Sequence, residues 1–184
     1  MSIPVANGPV SIDRLDLASP RLGEELETLG DVLHACVHAG ASVSFVLPFS
    51  REDAIAFWRD KVTPAVAAGN CRVLLARTAG HIVGTVQADL AMPPNQAHRA
   101  EVRKLLVHPA ARRRGIARKL MAALEDEARA LGRSLLTLDT VTGAPAEALY
   151  LSIGYVRAGA IPRYARRPDS PELESTTVMF KEIG

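Results

Sequence analysis

The stretch that decides the fold reads Leu105-Leu-Val-His-Pro-Ala-Ala-Arg-Arg-Arg-Gly-Ile-Ala-Arg-Lys-Leu120. It predicts a strand that ends at Val107, a basic loop, and a helix that begins after Gly115. The first N–H groups of a helix have no partner within the helix, and the positive end of its dipole lies there. Gly115 lets the backbone turn and lets a ligand approach, and Ala117 is small. The pattern is typical of a pyrophosphate site, although a solvated basic loop before an ordinary helix fits the same residues.

Basic residues gather at this turn, although the chain as a whole is almost neutral. Its 184 residues contain 22 Lys and Arg against 20 Asp and Glu, a formal net charge of +2. That balance disfavours a generally basic nucleic-acid binder, and 4% aromatic residues disfavour base stacking across a surface. The sequence contains neither the GxGxxG spacing of dinucleotide-binding folds nor the GxxxxGK(S/T) of P-loops. Five of the eight residues from 112 to 119 are basic, so an anion site is predicted here.

The hydrophobic pattern predicts one mixed α/β domain over residues 1–184, because 48% apolar residues suffice for one core and no linker interrupts them. Strands are predicted at 9–17, 71–77, 81–90, 100–107, 135–141, 155–158 and 176–183. Helices are predicted at 19–40, 50–69, 116–131 and 146–151, with Ser19 and Ser50 as the first two N-caps. The Arg-rich residues 163–167 are expected to form a mobile loop. The order βααβββαβαββ places antiparallel strands first and a β-α-β crossover after them.

The cysteine count and the apolar runs indicate where the protein is found. Cys36 and Cys71 cannot form a disulfide framework, which favours a reducing compartment. The first residues do not resemble a secretory signal, and no apolar run approaches the ~20 residues of a spanning helix. A soluble, cytoplasmic protein without a membrane partner is therefore expected. His34 and His38 share a helical face, but without a third ligand nearby no metal site is expected.

Two motifs carry a resemblance to a known family. Arg112-x-x-Gly115-x-Ala117 after Val107-His-Pro109 resembles the acyl-CoA signature of the GNAT family of N-acetyltransferases, and Ala146-x-x-Leu-Tyr150-x-x-x-Gly154-Tyr155 resembles the last conserved block of that family. The resemblance implies the GNAT acyl-CoA N-acyltransferase fold, a mostly antiparallel sheet splayed at the cofactor cleft and flanked by helices, with acetyl-CoA as cofactor. The cofactor-binding residues that it implies are Leu105, Leu106, Val107, Arg112, Arg113, Arg114, Gly115, Ile116, Ala117, Arg118 and Ala146.

A narrower resemblance concerns the substrate. His38–Phe45, Arg99–Leu105, Leu138–Thr140 and Met179–Gly184 are similar to segments of the tabtoxin-resistance type of GNAT enzyme, which acetylates a small β-lactam amino-acid toxin. The sequence departs from the family at Gly143, where an asparagine often stands seven residues before the tyrosine. The departure removes a side-chain contact to the pantetheine arm and leaves the expected fold intact.

Acetyl transfer to an amine needs a base for the ammonium proton, a donor for the oxyanion and an acid for the leaving thiolate. By resemblance Tyr150 is the acid, although a packed, half-buried aromatic is the structural alternative. Glu101, 11 residues before Arg112, has the offset of the glutamate base in some GNAT enzymes, but a salt bridge to Arg99 or Arg103 is equally consistent with its position.

Asp139 is the second candidate carboxylate, and it could bind the substrate ammonium or take its proton. The backbone N–H of Val107 is the oxyanion donor that the resemblance implies. The expected enzyme is thus an acetyl-CoA-dependent N-acetyltransferase that acts on a primary amine of a small molecule, with a role in antibiotic or toxin resistance. Two alternatives remain open at this point: acetylation of a protein N-terminus or lysine, and a non-catalytic acyl-CoA-binding module. Homodimer formation is left open.

Overall fold

The computed structural model describes residues 8–184, and within them it has seven strands and five α-helices. The strands are β1 (Val10–Arg14), β2 (Cys71–Thr78), β3 (His81–Asp89), β4 (Arg99–Val107), β5 (Leu135–Val141), β6 (Val156–Arg166) and β7 (Leu173–Glu182). The helices are α1 (Leu22–His38), α2 (Arg51–Phe57), α3 (Thr63–Ala67), α4 (Ile116–Ala130) and α5 (Pro145–Ser152), and a π-helical turn at Trp58–Val62 joins α2 to α3. The sheet order is β1-β2-β3-β4-β5-β7-β6. Among the seven strands described, β4 and β5 form the only parallel pair, so the predicted mostly antiparallel α/β sheet is confirmed.

Helices cover both faces of the sheet because each presents an apolar stripe at helical spacing. On one face α4 packs through Leu120, Leu124 and Ala128, which are almost completely buried. On the other face α1 packs through residues such as Leu29 and Leu33, together with Trp58 from the π-helical turn. The two cores fix the sheet between them and leave the carboxyl ends of β4 and β5 as the place where a cleft can open.

The strands β4 and β5 separate after three paired positions. Their register runs from Arg99 with Leu135 to Glu101 with Thr137, and no pair follows. Lys104 then has a left-handed backbone conformation (φ 49°), and the register of β3 and β4 shifts at the same level. Such a bulge re-aims the side chains that follow it. The predicted splay of the sheet is therefore confirmed, and it lies beside the turn that leads into α4.

The prediction for residues 155–167 was wrong, whereas the helix and the last strand predicted around them are present. The strand predicted at 155–158 extends to Arg166 as β6. All but the last of residues 163–167 therefore belong to this strand instead of a mobile loop. Bulges at 157–159 and 161–165 accommodate Pro162, which has no N–H to donate, and the left-handed Arg163. β6 is the edge strand and tolerates such irregularity, while its pairing with β7 supplies the backbone hydrogen bonds.

The two predicted helix starts have different outcomes. Ser50 is confirmed as an N-cap, because its Oγ accepts from the Asp53 N–H at 3.0 Å while its own N–H donates to the Asp53 carboxylate at 3.1 Å. Ser19 is not the cap of α1, since Arg21 holds that position. Instead the Ser19 hydroxyl accepts from the Arg21 N–H at 3.2 Å in a turn that precedes the helix.

Gly30 marks the closest approach of α1 to α2. A Cβ at this position would collide with Ile55 Cγ1 and lie 3.1 Å from its backbone nitrogen, whereas a Cβ at Gly23 of the same helix meets nothing within 4 Å. Gly30→Ala is therefore expected to lower the free energy of unfolding by about 1–3 kcal/mol through overpacking. Gly23→Ala is expected to raise it by roughly 0.5 kcal/mol through helix propensity. Urea denaturation of the two variants measures both changes, and equal stability would contradict this view of the interface.

Candidate active site

The loop before α4 and the first turn of that helix line one cavity. Arg113 (φ 65°) and Gly115 (φ 73°) are left-handed, and Gly115 is the N-cap of α4. Within residues 8–184 the N–H groups of residues 115–118 donate no hydrogen bond, and a Cβ at Gly115 would meet nothing within 4 Å. Unpaired amides at the positive end of a 15-residue helix favour an anion.

A cavity of about 200 Å³ lies in front of these amides. Its walls come from the end of β4, the loop, the start of α4 and one residue of α5. They are formed by Val107, Ala111, Arg112, Arg113, Gly115, Ile116, Ala117, Arg118 and Leu149. The sequence motif anticipated most of this lining but missed Ala111 and Leu149. Leu149 belongs to α5, the helix on which Ala146 was the implied contact.

Not every residue implied for the cofactor lines this cavity. Leu106 is 2% exposed and faces the core beneath α1, while Leu105 and Ala146 pack against the core beneath α4. Arg114 Nη2 donates to the Gly8 carbonyl at 3.4 Å, away from the cavity. Any contact of these four positions with a ligand in the cavity would therefore involve their backbone or a part of the ligand that extends beyond it.

Two of the arginines at the cavity are oriented by the protein itself. Arg112 Nε donates to the Val107 carbonyl at 3.2 Å, and Arg118 Nη2 donates to the Ser152 hydroxyl of α5 at 2.9 Å. These bonds hold both guanidinium groups beside the start of α4 and orient their positive charge there before any ligand arrives. The orientation strengthens the attraction that the helix dipole supplies.

The two candidate carboxylates lie on the neighbouring strands that separate. Glu101 stands at the last paired position of β4, and its Oε1 accepts from Arg103 Nε at 3.1 Å. Arg103 also donates to Asp89 Oδ2 at 3.0 Å, whereas Arg99 bonds to Gln96 and Thr137 instead of Glu101. The salt bridge considered from the sequence therefore exists, with Arg103 as the partner. It leaves the proton-accepting role of Glu101 a prediction.

Asp139 follows the point of separation on β5 and has an exposed side chain. Its Oδ2 accepts a hydrogen bond from the Thr176 hydroxyl of β7 at 2.9 Å. Within residues 8–184 it forms no ion pair, so its charge is available to a ligand in the opening between the strands.

Tyr150 lies on α5 and is 6% exposed, with its ring 5.6 Å from that of Tyr155. Burial, and to a smaller extent the charge of Asp139, raise the pKa of Tyr150 above its usual range. The phenol therefore stays protonated at all working pH values, which is the state that a proton donor needs. The hydroxyl of Tyr155 is fully enclosed without a hydrogen-bond partner among the described residues, whereas that of Tyr150 is not enclosed in this way.

Lys104 is a charged residue at the cleft that the sequence analysis did not single out. Its Nζ lies 5.5 Å from the ring centres of both Phe45 and Phe57 and 3.4 Å from the Ser44 hydroxyl. Burial and the positive charge of Arg103 lower the pKa of Lys104 to about 8, against the opposing effect of Asp139 and Glu101. No sequence signal marks this residue, because the bulge and the aromatic pair come from the fold.

The remaining reactive groups do not form a second centre. Burial raises the pKa of the Cys36 thiol, and it raises that of Cys71 to about 11, so both thiols stay protonated. The rings of His34 and His38 stack at 4.1 Å, and His38 Nε2 is 2.9 Å from the Phe49 carbonyl. Within residues 8–184 no three His, Cys, Asp or Glu side chains are grouped to hold a metal ion. No helix in the same range is both long and apolar enough to cross a membrane.

Comparison with known proteins agrees with this geometry. The model of the acetyltransferase (GNAT) family matches residues 37–155. An uncharacterized N-acetyltransferase in the hisH-hisA intergenic region of Azospirillum brasilense is 34% identical over 134 residues, 71% of this chain and 74% of the relative. The IAA acetyltransferase of that organism is 36% identical over 110 residues, 59% of this chain and 70% of the relative. The structure of YncA from Salmonella typhimurium with acetyl-CoA superposes on this chain with a TM-score of 0.76 at 18% sequence identity. The superposition covers 95% of this chain and 94% of YncA, so the two proteins share the fold.

Proposed function

The chain belongs to the acetyltransferase (GNAT) family, and we propose that it transfers the acetyl group of acetyl-CoA directly to a primary amine of a small molecule. The observation that carries the proposal is the row of unpaired amides at the start of α4, which opens onto the cavity beside the separating strands. An anion site beside two separating strands that carry Glu101 and Asp139 fits a phosphate-bearing donor and an amine acceptor.

Acetyl-CoA supplies an activated acetyl thioester when it is bound. The amides of Gly115 to Arg118 would hold its pyrophosphate, and Arg112 and Arg113 at the cavity wall would add positive charge. The open space at Gly115 supports this assignment, because a side chain there would occupy room at the wall of the cavity. The backbone N–H of Val107 would stabilise the negative charge that develops on the carbonyl oxygen.

Three side chains are assigned to the proton transfers and to amine binding. Glu101 takes the proton of the acceptor ammonium, directly or through one water, while Asp139 holds the ammonium at the opening between β4 and β5. Asp139 is the alternative base. Tyr150 gives its proton to the leaving thiolate, which its persistently neutral phenol supports. No covalent intermediate on the enzyme is invoked, because both cysteines are buried with raised thiol pKa values.

A small-molecule acceptor is supported by the aromatic wall of the cleft. Phe45, Phe49 and Phe57 pack together, with ring centres of Phe45 4.6 Å from Phe49 and 5.2 Å from Phe57, and the Phe45 ring lies 5.5 Å from Lys104 Nζ. The name of the IAA acetyltransferase relative is consistent with a small-molecule acceptor. The similarity to tabtoxin-resistance enzymes supports β-lactam amino acids as acceptors and a role in resistance. A protein or peptide acceptor would need a wider groove.

A screen for thiol release tests the proposal. Purified protein is mixed with acetyl-CoA and with amino acids, β-lactams, aminoglycosides, polyamines or peptides, and free CoA is measured. We expect turnover with at least one small amine and none with peptides. If CoA binds in calorimetry but no amine releases thiol, the chain is a non-catalytic CoA-binding module. If peptides alone react, the protein-acetylating alternative holds.

Tyr150→Phe tests the proposed acid. Removing the phenolic proton is expected to lower kcat about 100-fold with little change in KM, because the donor acts on the leaving group and not on acceptor binding. Tyr155→Phe is the matched control, since it removes an enclosed hydroxyl that has no hydrogen-bond partner among the described residues. Steady-state kinetics on both variants decide the point, and equal kcat values would assign Tyr150 to packing alone.

The proposal includes the assembly and the location of the enzyme. Homodimer formation is supported by the edge strand β6, on which Val156, Ile161 and Tyr164 are 45–53% exposed. A reducing cytoplasm is supported by the two free, buried cysteines. Sedimentation equilibrium tests homodimer formation, and fractionation of the native host tests the cytoplasmic location.

A further inference from the structure

Lys104 stands at the point where a cleft residue can face an acceptor. It follows the last paired position of β4 and β5 by three residues, and the left-handed backbone of the bulge directs it out of the strand. A positive φ in a residue other than glycine costs roughly 1–2 kcal/mol, and such cost persists chiefly where the surroundings or the function maintain it. The position therefore invites a functional explanation.

The ammonium of Lys104 has no carboxylate partner within residues 8–184. Its contacts are two aromatic faces and one hydroxyl, that of the exposed Ser44. The nearest competing cation, Arg103, is already bonded to Glu101 and Asp89. A half-buried ammonium held by two aromatic rings and one hydroxyl is incompletely compensated, and a ligand anion would complete its coordination.

Opposite charges face the same opening. Asp139 and Glu101 both act electrostatically on Lys104, which places the two carboxylates and the ammonium within range of one another across the separated strands. Asp139 is available to an incoming ammonium, and Lys104 is available to an incoming anion. An acceptor that carries both an amine and an acid group would satisfy the two ends of this arrangement at once.

We propose that Lys104 binds the carboxylate, or an equivalent anionic group, of the acceptor, so that the substrate class is an amine bearing a negative charge close to the reacting nitrogen. The proposal rests on the acetyl transfer proposed above, and it assigns to Lys104 the selection of the acceptor. A lysine pKa near 8 keeps the side chain mostly charged at pH 7, which the role requires. A purely structural role, in which the side chain anchors the loop at residues 41–49, is the alternative.

Kinetics on paired acceptors separate the two roles. Alanine, leucine, phenylalanine and glutamate are each compared with the corresponding amide, which keeps the amine and lacks the α-carboxylate. Lys104→Met is expected to raise KM for the acids roughly 10- to 100-fold and to leave the amides within about twofold, because a charge-assisted bond is lost only for the acids. Lys104→Arg is expected to restore part of the affinity for the acids.

Ser44→Ala is the matched control for the anchoring role, because it removes the hydroxyl that contacts the ammonium and leaves the charge in place. We expect it to change neither series of acceptors. Equal losses for acids and amides in Lys104→Met, or the same losses in Ser44→Ala, would overturn the proposal. Thermal unfolding of each variant shows whether a loss of activity reflects misfolding. If Lys104→Met is misfolded, the comparison of acids with amides is made on Lys104→Arg instead.

A binding measurement tests the anion site at Lys104 independently of acetyl transfer. The chain has four lysines, Lys61, Lys104, Lys119 and Lys181, so protein labelled with ¹³C at lysine Cε gives few signals, and Lys104→Arg identifies the relevant one. We expect this signal to shift with the four amino acids in the presence of CoA and not with their amides. A shift without any turnover would support the anion site while the proposed function fails. An unchanged signal overturns the anion site whatever the activity.

Discussion

Replacement of Gly115 by Asp is expected to weaken CoA binding about 1000-fold. Gly115 caps α4 at the wall of the cavity, and a Cβ there would point into open space, so a carboxylate could stand directly in front of the free amides. A negative charge about 4 Å from a phosphate costs roughly 4 kcal/mol at the effective dielectric of a protein surface, which corresponds to three orders of magnitude in Kd. Calorimetric titration with CoA measures the effect.

Gly132 offers a closely matched control for this substitution. It ends the same helix in nearly the same left-handed conformation (φ 71° against 73°), and a Cβ there also meets nothing within 4 Å. Gly132→Asp therefore introduces the same strain and the same charge at the far end of α4. We expect it to lose some stability and to keep its affinity for CoA.

Pantetheine provides the second control, because it lacks the phosphates. Its affinity is expected to be equal in wild-type protein and in Gly115→Asp. If CoA binding survives Gly115→Asp, or falls equally in Gly132→Asp, the amides at the start of α4 are not the phosphate site.

The turn and α4 could be predicted from the sequence because their signals are local. Gly115 at the start, the repeat of Leu120 and Leu124, and Gly132 at the end all lie within one helix length, and the predicted helix matches Ile116–Ala130 to within one residue. The strand Leu135–Val141 was predicted with its correct bounds for the same reason, since its apolar run is followed by a turn glycine. Such elements depend little on what the rest of the chain does.

The edge strand β6 could not be read in this way. Nearly all of its residues are exposed on both faces, so burial imposes no alternation on the sequence. Pro162 and Gly159 are typical of a loop, and only pairing with β7 over most of its length makes the segment a strand. That pairing is a tertiary contact, which no local pattern encodes.

The candidate site also contains one part that is local in the sequence and one part that depends on tertiary contacts. The phosphate turn is contiguous in the sequence and was anticipated from its motif, whereas Lys104 depends on a bulge and on Phe45 and Phe57, about 50 to 60 residues earlier in the chain. The motif named most of the residues that line the cavity at the start of α4. On the separating strands, Glu101 and Asp139 were proposed from the sequence, whereas Lys104 could be found only from the fold.

Glu101→Gln is expected to lower kcat/KM about 1000-fold at pH 7, the middle of the range for loss of a general base. Without the carboxylate only the fraction of acceptor that is already a free amine reacts, and that fraction rises about tenfold for each pH unit below the amine pKa. The activity of the variant should therefore recover as pH rises, and a pH–rate profile of thiol release measures this slope.

Asp89→Asn distinguishes catalysis from the ion pair. Asp89 pairs with Glu101 in the register of β3 and β4 and binds the same Arg103, so a merely structural role of Glu101 predicts similar losses in both variants. We expect Asp89→Asn to remain within about fivefold of wild type, since surface ion pairs contribute at most about 1 kcal/mol. Asp139→Asn should mainly raise KM for the amine. If Asp139→Asn instead shows the 1000-fold loss with recovery at high pH, and Glu101→Gln does not, the base is Asp139, because only the group that accepts the proton can make the rate depend on the free-amine fraction.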